Sequence, residues 1–191
     1  MLIRSLALLL SLLSFTARGE IVNVTLETSE GTIKLALDAG KAPDTVANFV
    51  KYAKDGHYNG LVFHRVIKGF MIQGGGYDEK YEQRATRAPI KNEAKNGLKN
   101  VNGTIAMART GDPHSATSQF FINHGDKNGF LDYPGQDGWG YCVFGKVTAG
   151  MDVVDKIADA PTRSGPPFGR DMPVKQVVIK SMTVEEPAAK K

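Results

Sequence analysis

Apolar residues in this chain come in short runs cut off by glycine, and that punctuation favours strands over long helices. Val22, Val24 and Leu26 alternate with Asn23 and Thr25, while Ile33, Leu35 and Leu37 alternate with Lys34 and Ala36. Ser29-Glu30-Gly31 lies between the two runs, so this stretch reads as a β-hairpin with one buried face. Short runs near 61–67, 70–73, 104–108, 119–123, 141–147 and 176–184 bring the total to about eight strands. Helical period shows in two places. Pro43 opens the first helix, Val46, Phe49, Val50 and Ala53 recur along it, and Gly56 stops it. The second covers 151–159, with Val153, Val154 and Ile157 facing inward. This pattern predicts an all-β fold, a closed barrel with a helix over each open end, since closure removes exposed sheet edges. The stretch 161–173 carries four prolines and reads as one ordered surface loop.

The first nineteen residues stand apart. Arg4 precedes an apolar core from Leu6 to Leu13, and Ala17 and Gly19 supply small residues at the positions a signal peptidase reads. Residues 1–19 are therefore expected to be a signal peptide, 20–185 the folded domain and 186–191 a flexible tail. The apolar run is too short to span a bilayer, so no membrane span is expected in the mature form. Of 24 basic residues, Arg4 and Arg18 leave with the peptide, so 22 face 20 acidic ones and the mature charge is about +2. That balance gives no basic stripe for nucleic acid. Cys142, the one cysteine, sits in Tyr141-Cys142-Val143-Phe144 and reads as a buried structural thiol.

Phe63-His64-Arg65-Val66-Ile67-Lys68-Gly69-Phe70-Met71-Ile72-Gln73 resembles two core strands joined at Gly69, except that Arg65 and Gln73 need partners if buried. On neighbouring strands the two fall on one concave face and hold one another. Taken alone, these residues leave a core role and a functional role both open. The pattern of an apolar strand with an isolated polar residue recurs in Thr104–Arg109 and Ser118–Asn123.

Taken together, the runs FHRVIKGFMIQGG (63–75), GTIAMAR (103–109), SQFFI (118–122), FLD (130–132) and VFGKV (143–147), in this order, resemble the cyclophilins, the peptidyl-prolyl cis-trans isomerases. The likeness runs from the first hairpin to the last strand. It implies an eight-stranded antiparallel barrel with two helices, no cofactor and no metal, and proline-containing polypeptides as substrates. Arg65 then stands at the family's essential arginine, with Gln73 as a second catalytic position. Phe70, Met71, Phe121 and Leu131 stand at the proline pocket, Gln119 beside the reacting bond, and Ala108 and Arg109 in the segment that holds substrate. Phe130 replaces a tryptophan and Tyr141 a histidine of the eukaryotic pattern; both resemble a bacterial exported branch, which implies weak cyclosporin binding and a periplasmic location, with a eukaryotic secretory pathway as the alternative. Lys68 and Arg109 replace a proline and an asparagine. A monomer is expected. The rival from another class is a proline-binding chaperone with incidental catalysis.

Other patterns fail. Gly135, Gly138 and Gly140 lack the lysine of a phosphate loop, Ser118 lacks a hydrolase context, and His57, His64, His114 and His124 have no metal-ligand spacing. His64 is expected to be a satisfied structural histidine.

Overall fold

The computed structural model describes residues 21–185; the signal peptide expected over 1–19 and the tail over 186–191 lie outside the described residues. The alternating runs pair as expected. β1 (Ile21–Thr28) and β2 (Thr32–Asp38) form an antiparallel hairpin in which Val24 faces Leu35 and Leu26 faces Ile33, all four buried. Thr28, Gly31 and Glu30 close its turn, with the Thr28 hydroxyl accepting from the Glu30 and Gly31 amides. Helix α1 (Pro43–Lys54) begins on proline and buries Val46, Phe49, Tyr52 and Ala53. Its first amides lack a cap from a neighbouring residue. Instead the Glu93 carboxylate, distant in sequence, accepts from the Asp44 and Thr45 amides and from the Thr45 hydroxyl.

β3 (Arg65–Ile67), β4 (Met71–Gly74), β5 (Thr104–Met107), β6 (Phe120–Asn123), β7 (Val143–Ala149) and β10 (Ile179–Val184) complete an eight-stranded sheet in the order β10-β1-β2-β7-β5-β6-β4-β3. Every pairing in it is antiparallel. Helix α2 (Met151–Ala158) follows β7 and buries Val154 and Ile157.

Two expectations need correction. The sheet curls but does not close. Edge strand β3 is only three residues long, and the chain before it divides its backbone between partners: Leu61 bridges Asp78, while Val62 bridges Val178 just ahead of β10. The barrel is therefore open, with a single bridge and the Phe63-to-Val177 and Ile179-to-Leu61 hydrogen bonds across the gap instead of a ladder. The proline-bearing stretch is also not a plain loop. It forms a second, two-stranded sheet, β8 (Thr162–Gly165) with β9 (Gly169–Pro173).

The sheet's two faces do different jobs. Ile72, Ile105, Met107, Phe120, Ile122 and Phe144 point into the main core, where the Phe49 ring meets Phe120 edge-on at 5.5 Å and packs against Tyr58 and Phe144 at 5.1 Å. One residue away along the same strands, Met71, Ala106, Phe121 and Val143 form a separate small cluster with Leu131. Period-2 alternation puts this cluster on the face turned away from the core. Arg65 and Gln73 belong to that outer face and not to a concave interior. Among the described residues no helix is long and apolar enough to cross a membrane.

Candidate active site

Strand register assembles the site. Arg65 pairs with Gln73, Gln73 with Phe121, Phe121 with Ala106 and Ala106 with Val143, so one lateral row crosses five neighbouring strands. Directly opposed residues share a face, and a slip of one residue anywhere would turn half the row inward. Above this row lies a cavity of about 410 Å³ that brings together Arg65, Phe70, Met71, Gln73, Ala108, Arg109, Gln119, Phe121, Leu131 and Tyr141. Phe130 is not in it. Its exposed ring stacks on Phe70 at 5.8 Å and lines an adjoining depression with Leu131 and Tyr141.

Met71, Phe121 and Leu131 make a buried apolar floor beneath Phe70. The turn that carries Leu131 is fixed by a buried amide network: Asn128 donates to the Phe70 carbonyl and to Asn123 Oδ1, Asn123 donates to Asn100 and Thr104, and Asn100 donates to Asp132. The one signal for this network in the sequence was a polar Asn123 at the end of an apolar strand.

At the lip stands Arg65. Its Nη1 donates to Gln73 Oε1 at 3.4 Å, and Gln73 Nε2 donates to Gln119 Oε1 at 3.0 Å. The guanidinium lies 5.9 Å from the centre of the Phe70 ring, close enough for a cation–π attraction. Among the described residues Nη2 makes no hydrogen bond. Gln119 itself needs Gly76 beside it, because a Cβ there would sit 2.6 Å from Gln119 Cγ.

Arg109 also borders the cavity, with its donors occupied. Nε and Nη2 donate to the Gly140 carbonyl at 3.1 and 2.9 Å, Nη1 donates to the Thr110 carbonyl, Nη2 also pairs with Asp137, and the plane covers the Tyr141 ring at 4.3 Å. The Gly140 amide, then Arg109 and the Trp139 amide, hold the Asp137 carboxyl well below the usual carboxylate range. Gly140 has φ +69, and a Cβ there would meet the Leu131 carbonyl oxygen at 2.7 Å, so the glycine is what lets this loop close on itself. Ala108 donates its amide to the Gln119 carbonyl, tying the two sides of the cavity together.

Four further residues, Tyr77, Phe168, Arg170 and Asp171, line the cavity without having stood out in the sequence, and His64, expected as a structural histidine, lines it too. His64 is buried as expected but is not satisfied, because its Nδ1 has no hydrogen-bond partner among the described residues. Its neighbours are rings, Tyr77 at 4.8 Å and Phe168 at 5.0 Å. Burial lowers its pKa to about 4, the Arg65 charge acting the same way and the Val62 backbone opposing. Cys142 is a buried thiol that burial pushes up to about 11, which leaves it unreactive.

A cavity with an apolar floor of Met71, Phe121 and Leu131 and a guanidinium at its lip has room and chemistry for a ring-sized apolar group beside a polar one. The family model Cyclophilin type peptidyl-prolyl cis-trans isomerase/CLD matches residues 23–184. Peptidyl-prolyl cis-trans isomerase B of Escherichia coli is 56% identical over 166 residues, covering 85% of this chain and 99% of that protein. Peptidyl-prolyl cis-trans isomerase A of Dickeya dadantii is 51% identical over 187 residues, covering 95% and 97%. The crystal structure of a Cryptosporidium parvum cyclophilin type peptidyl-prolyl cis-trans isomerase superposes with a TM-score of 0.70 at 25% identity, over 88% of this chain and 99% of that one. A second structure of it, in the presence of the dipeptide Ala-Pro, gives 0.68 at 25% identity over 86% and 99%. The chain belongs to the cyclophilin-type peptidyl-prolyl cis-trans isomerases, and its activity is the interconversion of cis and trans X-Pro bonds.

Proposed function

We propose that Arg65 is the donor that eases rotation, that Phe70, Met71, Phe121 and Leu131 seat the proline ring, and that the substrates are polypeptides folding outside the cytoplasm. A C–N peptide bond resists rotation by about 18–20 kcal/mol because the nitrogen lone pair is delocalised into the carbonyl. Halfway through the rotation that lone pair is localised on a pyramidal nitrogen and can accept a hydrogen bond. A guanidinium donor waiting there favours the twisted bond over either planar form, and the apolar floor keeps water from screening it. No covalent bond is made or broken, so the site needs rigidity more than reactivity.

The observation that carries this reading is the place of Arg65, at the lip of the apolar pit with Nη2 unengaged and Nη1 held by Gln73. The relative solved in the presence of Ala-Pro supports a proline-bearing substrate. Gln73 and Gln119 orient the arginine, while Ala108, Arg109 and Tyr141 border the path of the chain beyond the ring. Phe130, at the rim, meets residues further along.

Export is supported by the leader-like residues Leu6–Leu13 with Ala17 and Gly19, and by the exported-branch character of Phe130 and Tyr141. In the periplasm the enzyme speeds a step that otherwise takes tens to hundreds of seconds. Proline exchange rates measured by NMR on a tetrapeptide test the mechanism: an Arg65→Ala enzyme as fast as wild type overturns it and favours a proline-binding chaperone. Fractionation with mass spectrometry tests the compartment, which is wrong if an unprocessed chain is found in the cytosol.

A further inference from the structure

The β8–β9 hairpin, which the strand row does not require, brings a carboxylate to Arg65. Asp171 Oδ2 lies 3.9 Å from Arg65 Nε and 3.4 Å from Arg170 Nε. The pair with Arg170 is a weak candidate for its purpose, because the Arg170 side chain is 78% exposed, whereas those of Arg65 and Asp171 are 38% and 24% exposed.

The backbone at Asp171 is unusual. Its φ is +63, in the left-handed region that an L-residue with a side chain enters at a cost and that Asp and Asn tolerate best. Both flanks are anchored. Phe168 is inserted against His64, Tyr77 and Tyr81, with ring centres 5.0, 4.7 and 5.5 Å away, and Met172 is fully buried. The strained residue is thus held where it is by packing on either side, and its carboxylate is aimed along the cavity wall. Strain maintained in this way tends to collect at working sites.

We propose that Asp171 is a positioning residue for Arg65, a role that rests on Arg65 being the catalytic donor. Gln73 fixes one edge of the guanidinium at Nη1, Asp171 attracts the other at Nε, and the Phe70 ring flanks it. An arginine held on these sides meets the substrate with Nη2 already aimed, and so loses little freedom on reaching the twisted bond. At 3.9 Å the carboxylate orients through charge without occupying a donor.

Asp171→Asn is the test, since asparagine keeps the volume and the left-handed backbone and removes the charge. With the tetrapeptide substrate, kcat falls about 2–5-fold, as expected for a partly exposed pair, and KM stays within about twofold. Tm is unchanged, and the Arg65 Nε–Hε NMR signal moves and exchanges faster with water. In an Arg65→Lys background the same substitution adds less than about a twofold loss, because a lysine ammonium has no planar fork for the carboxylate to orient. The proposal is overturned if Asp171→Asn matches wild type, if the loss comes with a raised KM or a lowered Tm, or if it persists in full beside Arg65→Lys. Arg65→Ala, run in parallel, separates the two claims. An active Arg65→Ala enzyme refutes the role of the arginine itself, whereas an inactive one beside an unimpaired Asp171→Asn refutes only the role of Asp171.

Discussion

Arg65, on β3, and Arg109, in the segment that follows β5, border one cavity, and their guanidinium groups meet opposite surroundings. Arg109 is walled in: its side chain is 3% exposed and its donors go to the Gly140 and Thr110 carbonyls and to Asp137. Arg65 is half open, with one long hydrogen bond to Gln73, a carboxylate at a distance and a ring beside it. A satisfied guanidinium works as a bracket that shapes a loop. A guanidinium left short of partners keeps donors for something that is not yet present. Residue type alone does not distinguish the two; the number of engaged donors does.

The largest effect expected from breaking this contrast is on catalysis. Arg65→Ala lowers kcat/KM by about 10²–10³-fold, the usual loss for one well-placed donor, with little change in Tm. NMR exchange rates and a thermal melt on the same sample check both halves. A pH titration comes next. Burial holds the His64 pKa at about 4, against 6.5 for a histidine in an unfolded chain. Its folded pKa is the lower, so the unfolded chain binds the proton first and stability is lost as pH falls from 6.5 towards 4, by up to about 3 kcal/mol. Burial lowers the His57 pKa in the same direction. Urea unfolding of wild type against His64→Gln isolates the share of His64, and a variant that is equally acid-sensitive rejects it.

Arg109→Ala should reverse the pattern of Arg65. It leaves the Gly140 carbonyl without the arginine, costing about 1–3 kcal/mol of stability, while kcat/KM falls less than about tenfold. Denaturant unfolding beside the exchange assay decides, and a loss of rate as large as that of Arg65→Ala removes the contrast altogether. The smallest effect is expected for Arg109→Lys, which keeps the charge for Asp137 and loses the pair of hydrogen bonds to the Gly140 carbonyl, about 1 kcal/mol.

Much of this arrangement was legible where neighbouring residues dictate structure. Alternation in Val22–Leu26 and Ile33–Leu37 fixed the first hairpin, and Pro43 fixed the start of α1 within the expected stretch. The pairing of Arg65 with Gln73 followed from two short strands joined at Gly69. Less legible was whatever depends on distant partners. Glu93 caps a helix that starts forty-nine residues earlier than it, counted from Asp44. Residues 162–165 form a strand with no alternation because they pair only with β9 and bury no face. The same limit applies to closure: eight strands suggested a ring, but the gap between β3 and β10 depends on where the chain at 61–64 finds partners. The unsatisfied Nδ1 of His64 and the reach of Asp171 to Arg65 likewise exist only after folding.

The alternation of the strands has a consequence for how such a protein can change over generations. Phe120 serves the interior and Phe121 the cavity; Ile72 and Gln73, or Ile105 and Ala106, divide in the same way. The two sets of positions interleave and point apart, and the cavity-side set, with Met71, Ala106 and Phe121 buried, serves stability as well as specificity. A lineage can retune what it grips by drifting at every second residue of these three strands, while the intervening residues keep the sheet curled around the same interior.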